Sequence, residues 1–203
     1  EELHAEWELM EWFVGTGLTH LLRVFRTVFP SESAEMLRHA FCETMRHTCL
    51  AFGHHFTGDV VVPLIIASIG APSFASPASH VAQVASELSP RTAHDSRVGR
   101  STLLPVLLGG VLPCAGEEAL TEYLMLLLAE GKEASPWGLR HRAELLPVLQ
   151  FVGTIEDIQL EMLKVVHLLV ASPSAVSRQA AALLATALAC RLGEHAVERR
   201  LLP

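Results

Sequence analysis

The sequence predicts an all-α protein, an α-α superhelix built from stacked antiparallel helical hairpins, and three observations carry that prediction. The chain is 50% hydrophobic but only 6% aromatic, with a single tyrosine, Tyr123; leucine and alanine dominate, a helix-forming composition poor in the residues that sheets favour. Apolar residues recur at spacings of three and four over most of the length, the period of a helix with one buried face. A short apolar tract with a central proline returns at a fixed interval.

The first helix is traced by Trp7, Met10, Phe13 or Val14, Leu18, Leu21 or Leu22, and Phe25, and it stops at Pro30; Gly15 and Gly17 are the places where it would split or bend. The second opens at Ser31 or Ser33, carries Leu37, Phe41, Met45, Thr48, Cys49 and Phe52 on one face, and stops near Gly53. These two form the first antiparallel pair. A short helix after Thr57 carries Val60, Val61, Leu64, Ile65 and Ile69.

Periodicity then fails from Ala71 to Arg100. That stretch holds Pro72, Pro77 and Pro90 and seven Ser or Thr between Ser73 and Ser96, so residues 71–100 are read as a mobile loop insertion with a turn or two of helix around His80 to Leu88. Ser89-Pro90-Arg91 has the form of a phosphorylation site and is read here as a chance Ser-Pro in a solvated loop. Helix resumes at Ser101. Gly109-Gly110 falls inside the Leu103 to Leu112 helix and marks a close helix crossing or a bend, since no phosphate-binding glycine pattern surrounds it. Glu117-Glu118 places negative charge on the first turn of the next helix, where the macrodipole favours it.

The repeat is the most informative feature. Val61-Val62-Pro63-Leu64-Ile65 is echoed by Leu103-Leu104-Pro105-Val106-Leu107 and by Leu145-Leu146-Pro147-Val148-Leu149, with the prolines 42 residues apart both times. A period of about 40–47 residues is that of HEAT and armadillo repeats, helical hairpins that bury their apolar faces only against their neighbours. The clearest single unit runs from Glu161 to Ala181: a leucine-rich helix, a turn at Pro173-Ser174, then Val176, Arg178, Ala180 and Ala181 opening a second helix that Ala185 and Ala189 let approach its neighbours. Arg178 is assigned a structural bond to a turn. Leu201-Leu202-Pro203 repeats the tripeptide at the end, so residues 1–203 are read as one HEAT-repeat segment of a longer chain. Helices left without neighbouring repeats are expected to self-associate.

Composition narrows the function. With 15 Lys+Arg against 22 Asp+Glu the net charge is −7, which gives no general attraction to nucleic acid or anionic lipid. The apolar runs Val60 to Ile69 and Leu103 to Leu112 are interrupted by proline and are shorter than the roughly 20 residues of a membrane span. Cys42, Cys49, Cys114 and Cys190 form no CxxC pair and are read as free thiols in a reducing compartment, the cytoplasm. No cofactor or metal is expected: the eleven histidines include no HExxH and no i, i+4 pair, and the adjacent His54 and His55 would diverge by about 100° on a helix. Cys42 or Cys49 with His39 or His47 would be the one route to a cysteine hydrolase, and both thiols lie on the apolar stripe, which favours packing. The chain is therefore read as non-enzymatic. Arg140, His141 and Arg142 form the compact basic cluster on a helix and are the candidate partner-binding residues, because arginine pairs bidentately with carboxylates.

Several stretches together resemble the C-terminal HEAT region of the endosomal adaptor family that joins a LisH domain, a coiled coil and HEAT repeats, the RELCH-like family. They are Trp7-Glu8 with Trp12, Phe41 through Arg46 with Thr48, Phe52-Gly53 with Phe56-Thr57, Gly110-Val111-Leu112 with Cys114 and Glu117-Glu118, and Val176 to Ala181. The 71–100 insertion departs from that family in length. The resemblance implies a scaffold on recycling endosomes or the trans-Golgi network that binds a Rab GTPase and an oxysterol-binding protein in endosome-to-Golgi sterol transport. A HEAT-type scaffolding or regulatory subunit of another complex, such as a protein phosphatase, is the alternative.

Overall fold

Every regular element among the described residues, 12–28, 35–72, 79–129 and 136–189 of the computed structural model, is helical. A π-helical segment, Phe13–Leu18, runs into α1 (Thr19–Val28). Gly15 and Gly17 sit in that widened turn, so the expected bend takes the form of a wider helix. Trp7, Met10 and the expected stop at Pro30 lie outside the described residues, as does Cys190.

The second helix, α2 (Glu35–Phe56), buries Phe41, Cys42, Met45 and Cys49. Phe25 of α1 stacks on Phe41 with ring centroids 3.8 Å apart, which joins the first pair as the periodicity requires. The two ends of the expected stripe behave differently: Leu37 is 50% and Phe52 42% exposed, and Phe52 stacks on Phe13 at 5.2 Å at the rim of the core. Gly53 breaks the helix with φ 85° and ψ 169°, a conformation that only glycine adopts without strain. The histidine pair departs from the expected divergence. The rings of His54 and His55 lie 4.1 Å apart, so the two side chains lean toward each other just after the break.

A second π-helical segment, Thr57–Val61, leads into α3 (Val62–Ile69). Thr57 Oγ1 donates to the carbonyls of Gly53 (2.9 Å) and Cys49 (3.3 Å), closing the chain around the break. Residues 71–100 are not a long loop. They contain α4 (Ser79–Leu88) and the first turns of α5 (Ala93–Val106), so helix resumes well before Ser101. Val81, Ala85 and Leu88 are buried, an i, i+4, i+7 stripe that the serines obscured. Pro90 lies in the short connection, where Thr92 and Asp95 form a reciprocal capping box at the start of α5, the device that opens a helix after a proline-containing turn.

Pro105 lies inside α5, and the third π-helical segment, Leu107–Val111, follows at once, then α6 (Leu112–Ala115). Proline lacks the N–H for its own i−4 bond and its ring crowds the preceding turn, so the ladder shifts register nearby. Joined across their π-helical segments, Glu35–Ile69 and Ala93–Ala115 each reach the length and apolarity of a membrane span, longer than the apolar runs read from sequence, with 50% and 72% of the apolar window buried inside the fold.

The remaining elements are α7 (Ala119–Leu128), a one-turn α8 (Trp137–Arg140), α9 (Arg142–Val152), α10 (Glu156–Ala171) and α11 (Ala175–Ala189). Glu118 occupies the cap position of α7 and Glu117 precedes it, one step outside the expected first turn. The predicted Pro173-Ser174 turn separates α10 from α11, and Arg178 donates to the Pro173 carbonyl at 2.8 Å, within its own hairpin.

Packing follows the repeat. Helices α3, α5, α9 and α11 lie side by side in chain order, while α2 packs over α5, the segment after it and α6, and α10 packs on α7 and α11. Pro63, Pro105 and Pro147 belong to α3, α5 and α9, so the 42-residue interval is the chain length between adjacent helices of one row. Where α2 crosses the glycine pair, a Cβ on Gly110 would lie 2.6 Å from the Cys42 carbonyl oxygen and one on Gly109 2.8 Å from Ile155 Cδ1. The pair is a close helix crossing.

Candidate functional site

The basic cluster forms the corner where α8 meets α9. Pro136, with φ −55° and ψ 152°, starts the single turn of α8, and His141, with φ −105° and ψ 25°, ends it and redirects the chain into α9. Trp137 is 8% exposed and forms the floor. The three predicted residues are divided among two helices and the joint between them.

His141 turns inward. Its ring packs on Trp137 at 4.6 Å, and burial, followed by the nearby Arg100 charge, holds its pKa below the ordinary imidazole value despite Glu144. At neutral pH it contributes no charge, and the cationic members are Arg140 and Arg142, both exposed.

The strongest electrostatic contact at this corner escaped the sequence reading. Arg100 of α5 is 8% exposed, lies 5.9 Å from the Trp137 ring centroid and donates from Nε to Glu144 of α9, while exposed Arg97 approaches Glu144 at 3.6 Å. Burial pushes the Glu144 carboxyl pKa up, but the Arg100 hydrogen bond and charge, with His141 and Arg97, bring it below the usual value. Arg97 and Arg100 are thus helical residues, not loop residues. The repeat held a signal here: Arg100 and Arg142 each lie five residues before their repeat proline. Neighbour packing then buries one and exposes the other.

Beside the corner, Arg142 lines a depression of about 390 Å³ with Leu139, Gln179, Ala182, Leu183 and Thr186. Its lining mixes apolar Leu139, Ala182 and Leu183 with polar Arg142 of α9 and Gln179 and Thr186 of α11. A carboxylate-bearing helix or strand could pair with Arg142 while apolar side chains enter the depression.

The cysteine positions point to packing. Cys42 is 2% exposed and Cys49 0%, and burial pushes their thiol pKa values up to about 12 and about 11. Cys42 donates to the Pro105 carbonyl at 3.7 Å. His39 packs on Phe151 and shares a 3.2 Å hydrogen bond with Thr154, and His47 faces Glu43 at 3.9 Å. Neither thiol has the lowered pKa that a nucleophile needs. Among the described residues no group of three or more His, Cys, Asp and Glu is placed to hold a metal ion.

No protein-family model, curated protein or solved structure matches this chain.

Proposed function

We propose that this chain is a non-enzymatic protein-interaction scaffold, an α-solenoid segment of HEAT or armadillo type belonging to a RELCH-like membrane-trafficking adaptor. The observation that carries the scaffold reading is the side-by-side row of α3, α5 and α9, whose prolines recur every 42 residues. Such rows expose an extended face made by many helices, suited to a protein partner. The adaptor reading rests on the sequence resemblance and assigns cytoplasmic residence with peripheral attachment to recycling endosomes, a Rab GTPase and an oxysterol-binding protein as partners, and Arg140 and Arg142 with the adjacent depression as the docking corner.

The test is binding of this chain to the same organism's recycling-endosome Rab, loaded in parallel with a GTP analogue and with GDP. Binding confined to the GTP form, weakened at least tenfold by Arg140→Glu with Arg142→Glu, is the expected result. Equal binding to both forms, or to neither, refutes the Rab assignment for this segment. Capture of a phosphatase catalytic subunit instead would favour the other scaffold reading.

A further inference from the structure

The α4–α5 connection places Ser89 in the lining of a depression of about 300 Å³, together with Arg23 and Arg26 of α1, Arg91, and the acidic residues Glu87 and Asp95. Ser89 is exposed. Its hydroxyl donates to the Ala85 carbonyl at 3.1 Å, a local bond of the last helical turn. Pro90 follows, lying against Gly70, so the acceptor has the Ser-Pro-Arg form in an exposed connection between helices. Arg26 already spans the two parts, donating to the Leu88 carbonyl at 3.2 Å and the Asp95 carbonyl at 3.4 Å. Arg23 faces Glu87 at 3.9 Å, with both side chains at least half exposed.

We infer that Ser89 is a phosphorylation site for a proline-directed serine kinase and that Arg23, Arg26 and Arg91 receive the phosphate, fastening α1 to the α4–α5 connection. In the modification, Ser89 Oγ attacks the γ-phosphorus of ATP. The Oγ–P bond forms, the bond to the ADP oxygen breaks, and the hydroxyl proton passes to the kinase's base. Three guanidiniums face two carboxylates before modification, and a phosphoserine brings a charge of about −1.5 to −2 with three acceptor oxygens. The Arg23–Glu87 contact is long and exposed, the kind of ion pair that contributes little. The site also opposes the phosphate, because Ser89 immediately follows the C-terminal residue of α4, where the macrodipole disfavours an anion. The arginines therefore decide the sign of the effect.

That opposition makes the inference testable. The chain is treated with MgATP and a purified proline-directed kinase, the modified residue is located by mass spectrometry, and thermal unfolding and the phosphorus NMR titration are compared before and after modification. Phosphate is expected at Ser89 and absent in Ser89→Ala. In the wild-type chain it raises the melting temperature and lowers the phosphate titration midpoint below the usual value of about 6. In Arg23→Ala with Arg91→Ala, the same phosphate lowers the melting temperature. No incorporation at Ser89, or a wild-type melting temperature that falls on modification, overturns the inference. A titration midpoint unchanged by the arginines does the same.

Discussion

Replacing Gly110 by alanine tests the central helix crossing. A Cβ there would meet the Cys42 carbonyl oxygen at 2.6 Å, its Cα at 3.1 Å and its carbonyl carbon at 3.2 Å. All three atoms are backbone, so no rotamer change relieves the contact, and α2 must move by most of an ångström. Overpacking of this kind costs about 1–3 kcal/mol, and a rigid partner puts it at the upper end. Alanine regains about 1 kcal/mol of helix propensity. The net loss is about 2 kcal/mol, a fall of roughly 4–8 °C in melting temperature for a chain of this size. Gly15→Ala and Gly58→Ala supply the controls, since a Cβ at either meets nothing within 4 Å and both have negative φ; they should be neutral or slightly stabilising. Thermal unfolding followed by circular dichroism measures all three. Trimming Cys42 to alanine in the Gly110→Ala background should give no rescue, because the clash is with its backbone. A Gly110→Ala chain that melts with the two controls would refute the backbone contact, and rescue by the Cys42 change would place the clash in its side chain.

Two further predictions follow from buried polar groups. Glu144→Gln leaves the nearly buried Arg100 without its carboxylate and should cost about 2 kcal/mol at pH 7, less than the roughly 3–5 kcal/mol of a fully buried pair because solvent and Trp137 reach the guanidinium. Since the folded pKa of Glu144 lies below its ordinary 4.5, the contribution is fully present above that value and is lost as pH falls through the lower folded one. Denaturant titrations of the two chains should thus converge as pH falls below the folded pKa of Glu144, and a gap that did not narrow at all on acidification would contradict the pairing. For the thiols, a pKa near 12 leaves about one Cys42 thiolate in ten thousand at pH 8, and burial blocks the reagent as well. Alkylation mapped by mass spectrometry should modify half-buried Cys114 before Cys42 and Cys49, which react only on unfolding; labelling of Cys42 at the rate of Cys114 would show that α2 does not pack as described.

The 3.6-residue periodicity, the 42-residue proline interval and the Pro173 turn determined from sequence alone that the chain is helical, roughly where its hairpins lie, and that Cys42 and Cys49 are packing residues. These are local properties, written in neighbouring residues. The serine-rich α4 escaped because its buried stripe, Val81, Ala85 and Leu88, is short and includes an alanine, so composition outweighed period. Only the tertiary structure decided the chemistry of the basic corner. Arg100 lies 42 residues before Arg142 and the two look alike in sequence, yet Arg100 is buried over the Trp137 ring and paired with Glu144, while Arg142 lines the depression. The same is true of Arg23 and Ser89, which come to line one depression through the packing of α1 on α4. Charge and burial at such places are set by what a neighbouring helix brings across tens of residues of chain, and no local pattern encodes which side chain that will be.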